Sequence, residues 1–309
     1  MNSRLWQPWY WGLGVLVFLS FMYNYKVFVP LKGAFQNTIS SKKSFQVDTV
    51  KGNQNGEAVK GVEKEYNSRN TEQFKKEIAG ITDIPKVISR PKVAIIIDDL
   101  GNSLESASLF IGFPYPLTLS VLPKTPHAAK IGSAAVLEGK GVMLHLPMEA
   151  ETGNDKLGEG AIFTTMNDED IGRQVEDDLL FLPMARGVNN HMGSKASGDM
   201  RVIKAVLNVI QKRGLFIVDS LTSSASVLYT TAKSMHIPSA KRDVFLDNER
   251  DISYIKGQIK HLLAMAKKDG IAIGIGHPYL ETAQALKESI EEFKNADVDF
   301  VLVEELVLR

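Results

Sequence analysis

The stretch VAIIIDD, residues 93–99, is five apolar residues, three of them isoleucine, followed at once by two aspartates. A strand buried on both faces reads as a continuous apolar run rather than an alternation, and such strands belong to parallel sheets covered by helices. Ligands gather at the carboxyl ends of parallel strands, so Asp98 and Asp99 stand where a site is expected.

The pattern repeats along the chain. Short apolar runs at 93–97, 117–122, 141–145, 187–190, 215–219, 243–246, 271–276 and 299–303 alternate with segments of helical periodicity. That alternation predicts βα units and a mostly parallel sheet. Helix ends are also marked: Asn167 precedes three acids, Asp199 precedes an amphipathic run, and Gly214 and Gly270 follow basic last turns. These are the N-cap and C-cap residues that satisfy or terminate a helix. Eight strands over residues 91–309 leave about 27 residues per unit, tighter than the roughly 250 residues of an eightfold barrel. A compact or incomplete βα barrel is expected, with a doubly wound open sheet as the alternative.

Most of these strands end in a polar group. Asp98-Asp99, His145 with Glu149, Asn189-Asn190-His191, Asp219, Asp247 and His277 each follow an apolar run. Two imidazoles and a carboxylate suit Zn²⁺ or a related divalent ion, and Asp99, His145 and His191 form the natural trio. Glu149 is a possible fourth ligand or neighbour of the ligands. A divalent ion makes the water it binds acidic enough for a carboxylate to deprotonate, and Asp98 is the candidate base. His277 is the candidate acid, oriented by Asp219 or Asp247. Arg242 is expected to pin Asp98 or bind substrate, Asp243 to add to the acidic pocket, and His127 to line its mouth. GIGHP at 274–278 lacks the Gly-Lys-Ser/Thr ending of a phosphate loop, and no GxSxG elbow or cysteine is present.

Outside the strand pattern, the chain divides by charge. Its 36 basic and 36 acidic residues cancel, but residues 1–90 carry 13 basic against 7 acidic and residues 91–309 carry 23 against 29. An acidic folded region argues against nucleic-acid binding, which needs a basic face. Between Arg4 and Lys26 lie 21 residues without charge, flanked by Trp6, Trp9, Tyr10 and Trp11 on one side and Tyr23 and Tyr25 on the other. At ~1.5 Å rise per residue that length crosses a hydrocarbon layer, and aromatic belts mark its interfaces. No small-residue cleavage site follows it, so residues 1–28 are expected to be an uncleaved anchor. Residues 36–80 hold 14 charges and only 8 Leu, Ile, Val or Phe, too little apolar area to offset chain entropy. Residues 29–90 are expected to be a disordered tether leading to a domain over 91–309.

The strings AIIIDDLG (94–101), SVLPKTPHA (120–128), HLPME (145–149), GVNNHMGS (187–194), GLFIVDSLTS (214–223), RDVFLDN (242–248) and AIGIGHP (272–278) resemble the divergent polysaccharide deacetylase family of the NodB-like carbohydrate deacetylase superfamily. The resemblance implies a distorted (β/α)7 barrel, preceded here by the anchor and tether, and metal-dependent hydrolysis of acetyl groups on a glycan. By resemblance Asp98 matches the catalytic base, Asp99 the metal-binding Asp, His145 the first His of an HxxxH motif and His277 the catalytic His. Glu149 stands where that motif has its second His, and NNHMGS replaces the superfamily's RxPY segment, which leaves His191 as the substitute ligand. Members of the superfamily are exported, so the implied location is the cell envelope with the barrel outside the cytoplasm. The implied partners are an acetylated glycan and, through the anchor, a membrane. A silent glycan-binding or scaffold protein on the same barrel is the alternative.

Overall fold

The computed structural model describes residues 90–307. The expected anchor and nearly all of the tether lie outside the described residues. Among those described, β1 (Lys92–Leu100), α1 (Leu104–Ile111), β2 (Thr118–Val121), α2 (Ala128–Leu137), β3 (Gly141–Met148), α3 (Asp168–Leu180), β4 (Gly187–Met192), α4 (Met200–Arg213) and β5 (Phe216–Asp219) alternate without exception. They are followed by α5 (Leu228–Ser234), β6 (Ser239–Lys241), β7 (Val244–Phe245), α6 (Ile252–Asp269), β8 (Ile271–Gly276), α7 (Leu280–Glu288), α8 (Ile290–Asn295) and β9 (Asp299–Phe300).

Every strand pair is parallel, and the order is β6-β5-β4-β3-β2-β1-β8-β7 with β9 on β1. The order never reverses, which excludes the doubly wound alternative, whose strand order must switch direction. Instead β1 lies between the second strand and the eighth, as a sheet curling back on itself requires.

One strand expected at 243–246 is shorter than predicted, and β6 was not expected at all. Both differences have one cause. Residues 239–245 are a single segment that changes partner midway. Lys241 pairs with Asp219 of β5, the Arg242 N–H donates to Asp219 O at 3.0 Å, the Asp243 N–H donates to Ile273 O at 2.9 Å, and Val244 pairs with Gly274 of β8. The segment thus serves both edges of the curled sheet, and Ser-Ala-Lys carries no apolar run to announce its first half.

The alternation of side chains splits the core into two layers. Ala94, Ile96, Met143, Phe216, Val218, Ala240, Ile273 and Ile275 fill the inside of the curl together with Val301, Val303 and Leu306. Val93, Ile95 and Ile97 point the other way and meet the helices, among them Ile131, Val175, Ile203, Val206 and Leu262. Each fully buried side chain of this kind contributes about 1.5–3 kcal/mol. The C-terminal tail closes the amino end of the curl: Asp299 and Phe300 pair with Lys92 and Val93, and the Val301 N–H donates to Val93 O at 2.9 Å. The carboxyl ends of the strands are left for the site.

Candidate metal centre

At the end of β1 the register with β2 shifts between Ile97 and Leu100, and Asp99 takes a left-handed backbone, φ 55°. In a regular strand Asp98 and Asp99 point to opposite faces. The irregularity turns both toward one neighbour: His145 Nε2 lies 3.7 Å from Asp98 Oδ2 and 3.1 Å from Asp99 Oδ1. Asp is among the few non-glycine residues that adopt this conformation readily, and such strain concentrates at functional sites.

His145 and His191 come from adjacent strands. β3 and β4 pair with His145 opposite Asn189 and Pro147 opposite His191, so His191 sits two residues further out. The two rings meet edge to face with centroids 5.0 Å apart. His191 Nδ1 lies 2.9 Å from Asp99 Oδ1, and one ligand atom from each of Asp99, His145 and His191 falls within 4.8 Å of the others. Closeness here is not hydrogen bonding: Asp99 Oδ1 and His191 Nε2 are buried without a hydrogen-bond partner. A carboxylate oxygen and two imidazoles brought together, with Asp99 Oδ1 and His191 Nε2 left unsatisfied, form a donor set that suits a divalent cation of borderline softness.

Asn189 ties this trio to Asp98. Its amide nitrogen donates to Asp98 Oδ1 at 2.8 Å and to Ser220 Oγ at 3.1 Å. A carboxylate only accepts, so the amide oxygen must face the other way. There it accepts from Ser120 Oγ at 2.5 Å and lies 2.9 Å from His145 Nδ1. His145 therefore donates from Nδ1 and presents Nε2 to Asp99. Fixing the tautomer of a ligand through its remote nitrogen is how a second layer of residues tunes a metal site.

His277 approaches from β8, its Nε2 3.9 Å from Asp99 Oδ2. Asp247 holds it firmly: Oδ1 is 2.9 Å from His277 Nδ1, while Oδ2 accepts from the His277 N–H at 2.5 Å and Thr282 Oγ1 at 2.7 Å. Nδ1 is thus the donor, and Nε2 faces the site.

Burial pushes the Asp98 carboxyl above the usual range despite His145, His277 and Asn189. Burial acts in the same direction on Asp99, but His145 and His191 outweigh it and hold this carboxyl well below the usual range. His145 is disfavoured as a cation by burial, yet Asp98 and Asp99 raise it to about 9. Burial also lowers His277, and Asp247 more than reverses the effect.

Several strand-end residues turn elsewhere. Glu149 does not join the trio: Oε2 accepts from Thr164 N–H and Oγ1, both at 2.6 Å, and Oε1 pairs with Lys195 Nζ at 2.7 Å. Asp219 accepts from Leu221 N–H, Ser226 Oγ and Tyr229 N–H, so it braces the loop after β5 and leaves His277 to Asp247. Arg242 donates to Ser220 O and Leu221 O at 2.8 and 2.9 Å instead of pinning Asp98. Asp243 accepts from the Ile273 N–H at 2.8 Å, on the backbone of β8. Asn190 links the Ser220 N–H to Met192 O. The His127 N–H donates to Gly101 O at 3.0 Å, which sets its loop against the one following the aspartates. Ser120, Ser220 and Thr282 were missed; the buried hydroxyls of Ser120 and Ser220, on or beside apolar strands, are a legible signal, whereas Thr282 lies inside α7.

A curled parallel βα sheet with two aspartates, two imidazoles and an Asp-paired histidine at its strand ends defines a class, the parallel α/β protein with its polar site at the carboxyl ends of the strands. More narrowly, the chain belongs to the divergent polysaccharide deacetylase family, whose model matches residues 95–307. It is 30% identical over 199 residues to the uncharacterised protein YibQ of Escherichia coli, covering 64% of this chain and 62% of that one. The match thus spans less than two thirds of that relative. An uncharacterised protein of Haemophilus influenzae is 29% identical over 215 residues, 70% of this chain and 75% of its own. The crystal structure of the uncharacterised protein ATU2773 from Agrobacterium tumefaciens shares the fold, with a TM-score of 0.68 at 23% identity over 72% of this chain and 91% of that one.

Proposed function

We propose that the chain is a divalent-metal-dependent hydrolase that removes acetyl groups from a polysaccharide of the cell envelope. One observation carries this reading: Asp99, His145 and His191 converge, with Asp99 Oδ1 and His191 Nε2 buried and unpartnered, beside a second carboxylate and an Asp-paired histidine. The family's description supplies the substrate class. Zn²⁺ is the favoured ion, because two imidazoles and one carboxylate form a catalytic donor set for it.

A cation held by the trio would supply Lewis acidity, polarising an acyl carbonyl and acidifying water. Asp98 takes the proton of the attacking water; its raised pKa makes it a stronger base than an ordinary carboxylate. Asn189 keeps Asp98 aimed and His145 in one tautomer. Asp247 favours the protonated form of His277, which gives its Nε2 proton to the departing amine or alkoxide. The uncharged 21 residues before Lys26 and the basic balance of residues 1–90 support a membrane anchor on a tether. On that reading the domain lies outside the cytoplasm as a distorted (β/α)7 barrel.

The test uses the full-length chain. Elemental analysis should find a divalent ion, and Zn²⁺ should raise the melting temperature in wild type but not in His145→Ala or His191→Ala. If no ion co-purifies and Zn²⁺ gives no such shift, the metal step is wrong. Asp98→Asn should keep the shift and lose deacetylation of an acetylated glycan. A wild-type protein that binds such glycans without hydrolysing them is a binder and not an enzyme.

A further inference from the structure

His277 is the central member of a column of flat groups. Its ring lies 5.2 Å from that of Phe245, tilted 46° to it, and the Arg242 guanidinium lies 5.0 Å from the Phe245 centroid. It also stacks on Tyr279 at 5.6 Å with an interplanar angle of 26°, and the Arg250 guanidinium lies 4.2 Å from the Tyr279 centroid. The order is Arg242, Phe245, His277, Tyr279, Arg250. Each aromatic ring is thus in contact range of both a cation and the imidazole, and the negative face of an aromatic quadrupole favours the cation contacts.

Asp247 orients the ring through one bond at its edge, to Nδ1, and packing against the body of the ring adds to that restraint. Tilting moves Nε2, which must stay aimed at the space beside Asp99. Groups packed against the ring resist it, and Phe245 and Tyr279 both lie against it, the first tilted at 46° and the second stacked. Their chain positions are rigid: Phe245 pairs with Ile275 in the sheet, and the Tyr279 N–H donates to His277 O at 2.8 Å. Arg250 is anchored from outside by Glu281 at 3.2 Å, and Arg242 by two carbonyls of the loop after β5.

We infer that Phe245 and Tyr279 are positioning residues for His277, forming with Arg242 and Arg250 a stack that holds its Nε2 on the reaction line. The inference rests on the proposed role of His277 as proton donor, and misplacing a catalytic group by about 1 Å costs up to roughly 100-fold in rate.

Full-length chain labelled with ¹⁵N-histidine tests it, since six histidines give a countable spectrum. In wild type the His277 ring should show one set of sharp signals with Nδ1 protonated. Tyr279→Leu and Phe245→Leu should broaden or multiply that set while the His145 and His191 signals and Zn²⁺ affinity are unchanged. Tyr279→Phe, which keeps the ring, should match wild type. On an acetylated chito-oligosaccharide, Tyr279→Leu should lower kcat about tenfold with KM within twofold. The column has no positioning role if Tyr279→Leu leaves the His277 signals sharp, or if Tyr279→Phe is as damaging as Tyr279→Leu. A wild-type protein without turnover would sink the proposed activity while the spectra still decide the stack.

Discussion

Asp99 combines two constraints in one residue, a left-handed backbone at φ 55° and a carboxylate facing two imidazoles. Asn adopts the same backbone with little strain, so Asp99→Asn separates them. The melting temperature of the metal-free protein should stay near wild type, and Zn²⁺ should no longer raise it; a surviving Zn²⁺ shift removes Asp99 from the ligands. Asn189 is the complementary case, because it ligates nothing and holds much. Asn189→Ala leaves Asp98, Ser120 and His145 Nδ1 without their shared partner in a fully buried position. Orphaned buried groups cost about 1–3 kcal/mol, and lost support of a ligand weakens metal binding roughly 10–100-fold. Urea unfolding and metal competition should show both losses together. An unaltered affinity would mean that His145 keeps its tautomer unaided.

Among the elements, two glycines do opposite jobs. A Cβ on Gly187 would lie 2.3 Å from the Phe216 ring, which fills the inside of the curl. Gly214, at φ 65°, ends α4 with open space around it. Gly187→Ala should therefore cost about 1–3 kcal/mol by overpacking and Gly214→Ala about 1 kcal/mol by backbone strain. Asn should rescue position 214 and worsen position 187, as urea titrations can read; equal behaviour would show that the two costs share one origin. The same contrast explains what could be read beforehand. Apolar runs such as 93–97 and 271–276 announce strands because burial on both faces demands them, and caps at Asn167, Asp199, Gly214 and Gly270 are local chemistry. Ser239–Lys241 is strand only because β5 offers an edge, which no local signal records. Strand order likewise placed Asp99, His145, His191 and His277 at one end of the sheet. It did not say which way a side chain turns there: Asp219 and Glu149 also stand at strand ends and spend their oxygens on nearby donors.

Across the whole molecule, buried charge sets the pH response. Asp178 of α3 is fully buried with Oδ2 unpartnered, its Oδ1 accepting from Gln174 at 2.9 Å and lying 3.4 Å from Lys124 Nζ. Burial raises it to about 7, only partly countered by Lys124 and Gln174. A carboxyl whose folded pKa exceeds its unfolded value contributes stability that is full below the unfolded pKa, near 3.8, and is lost as pH rises through about 7. Asp178→Asn should therefore stabilise the protein more at pH 8 than at pH 4 in paired urea titrations. An equal effect at the two pH values would mean that Asp178 ionises normally in the fold.

The place of β1 between β2 and β8 has a consequence in time. Residues 92–97 take their second neighbour from residues 271–276, and more than half of the chain is made in between. A nascent chain emerging from the ribosome must carry VAIIIDD with one open, apolar edge until the late strand arrives, the kind of edge that invites aggregation. The same arrival delivers His277 to the aspartates, so the chain acquires its complete set of reactive groups at the moment its most vulnerable edge is covered.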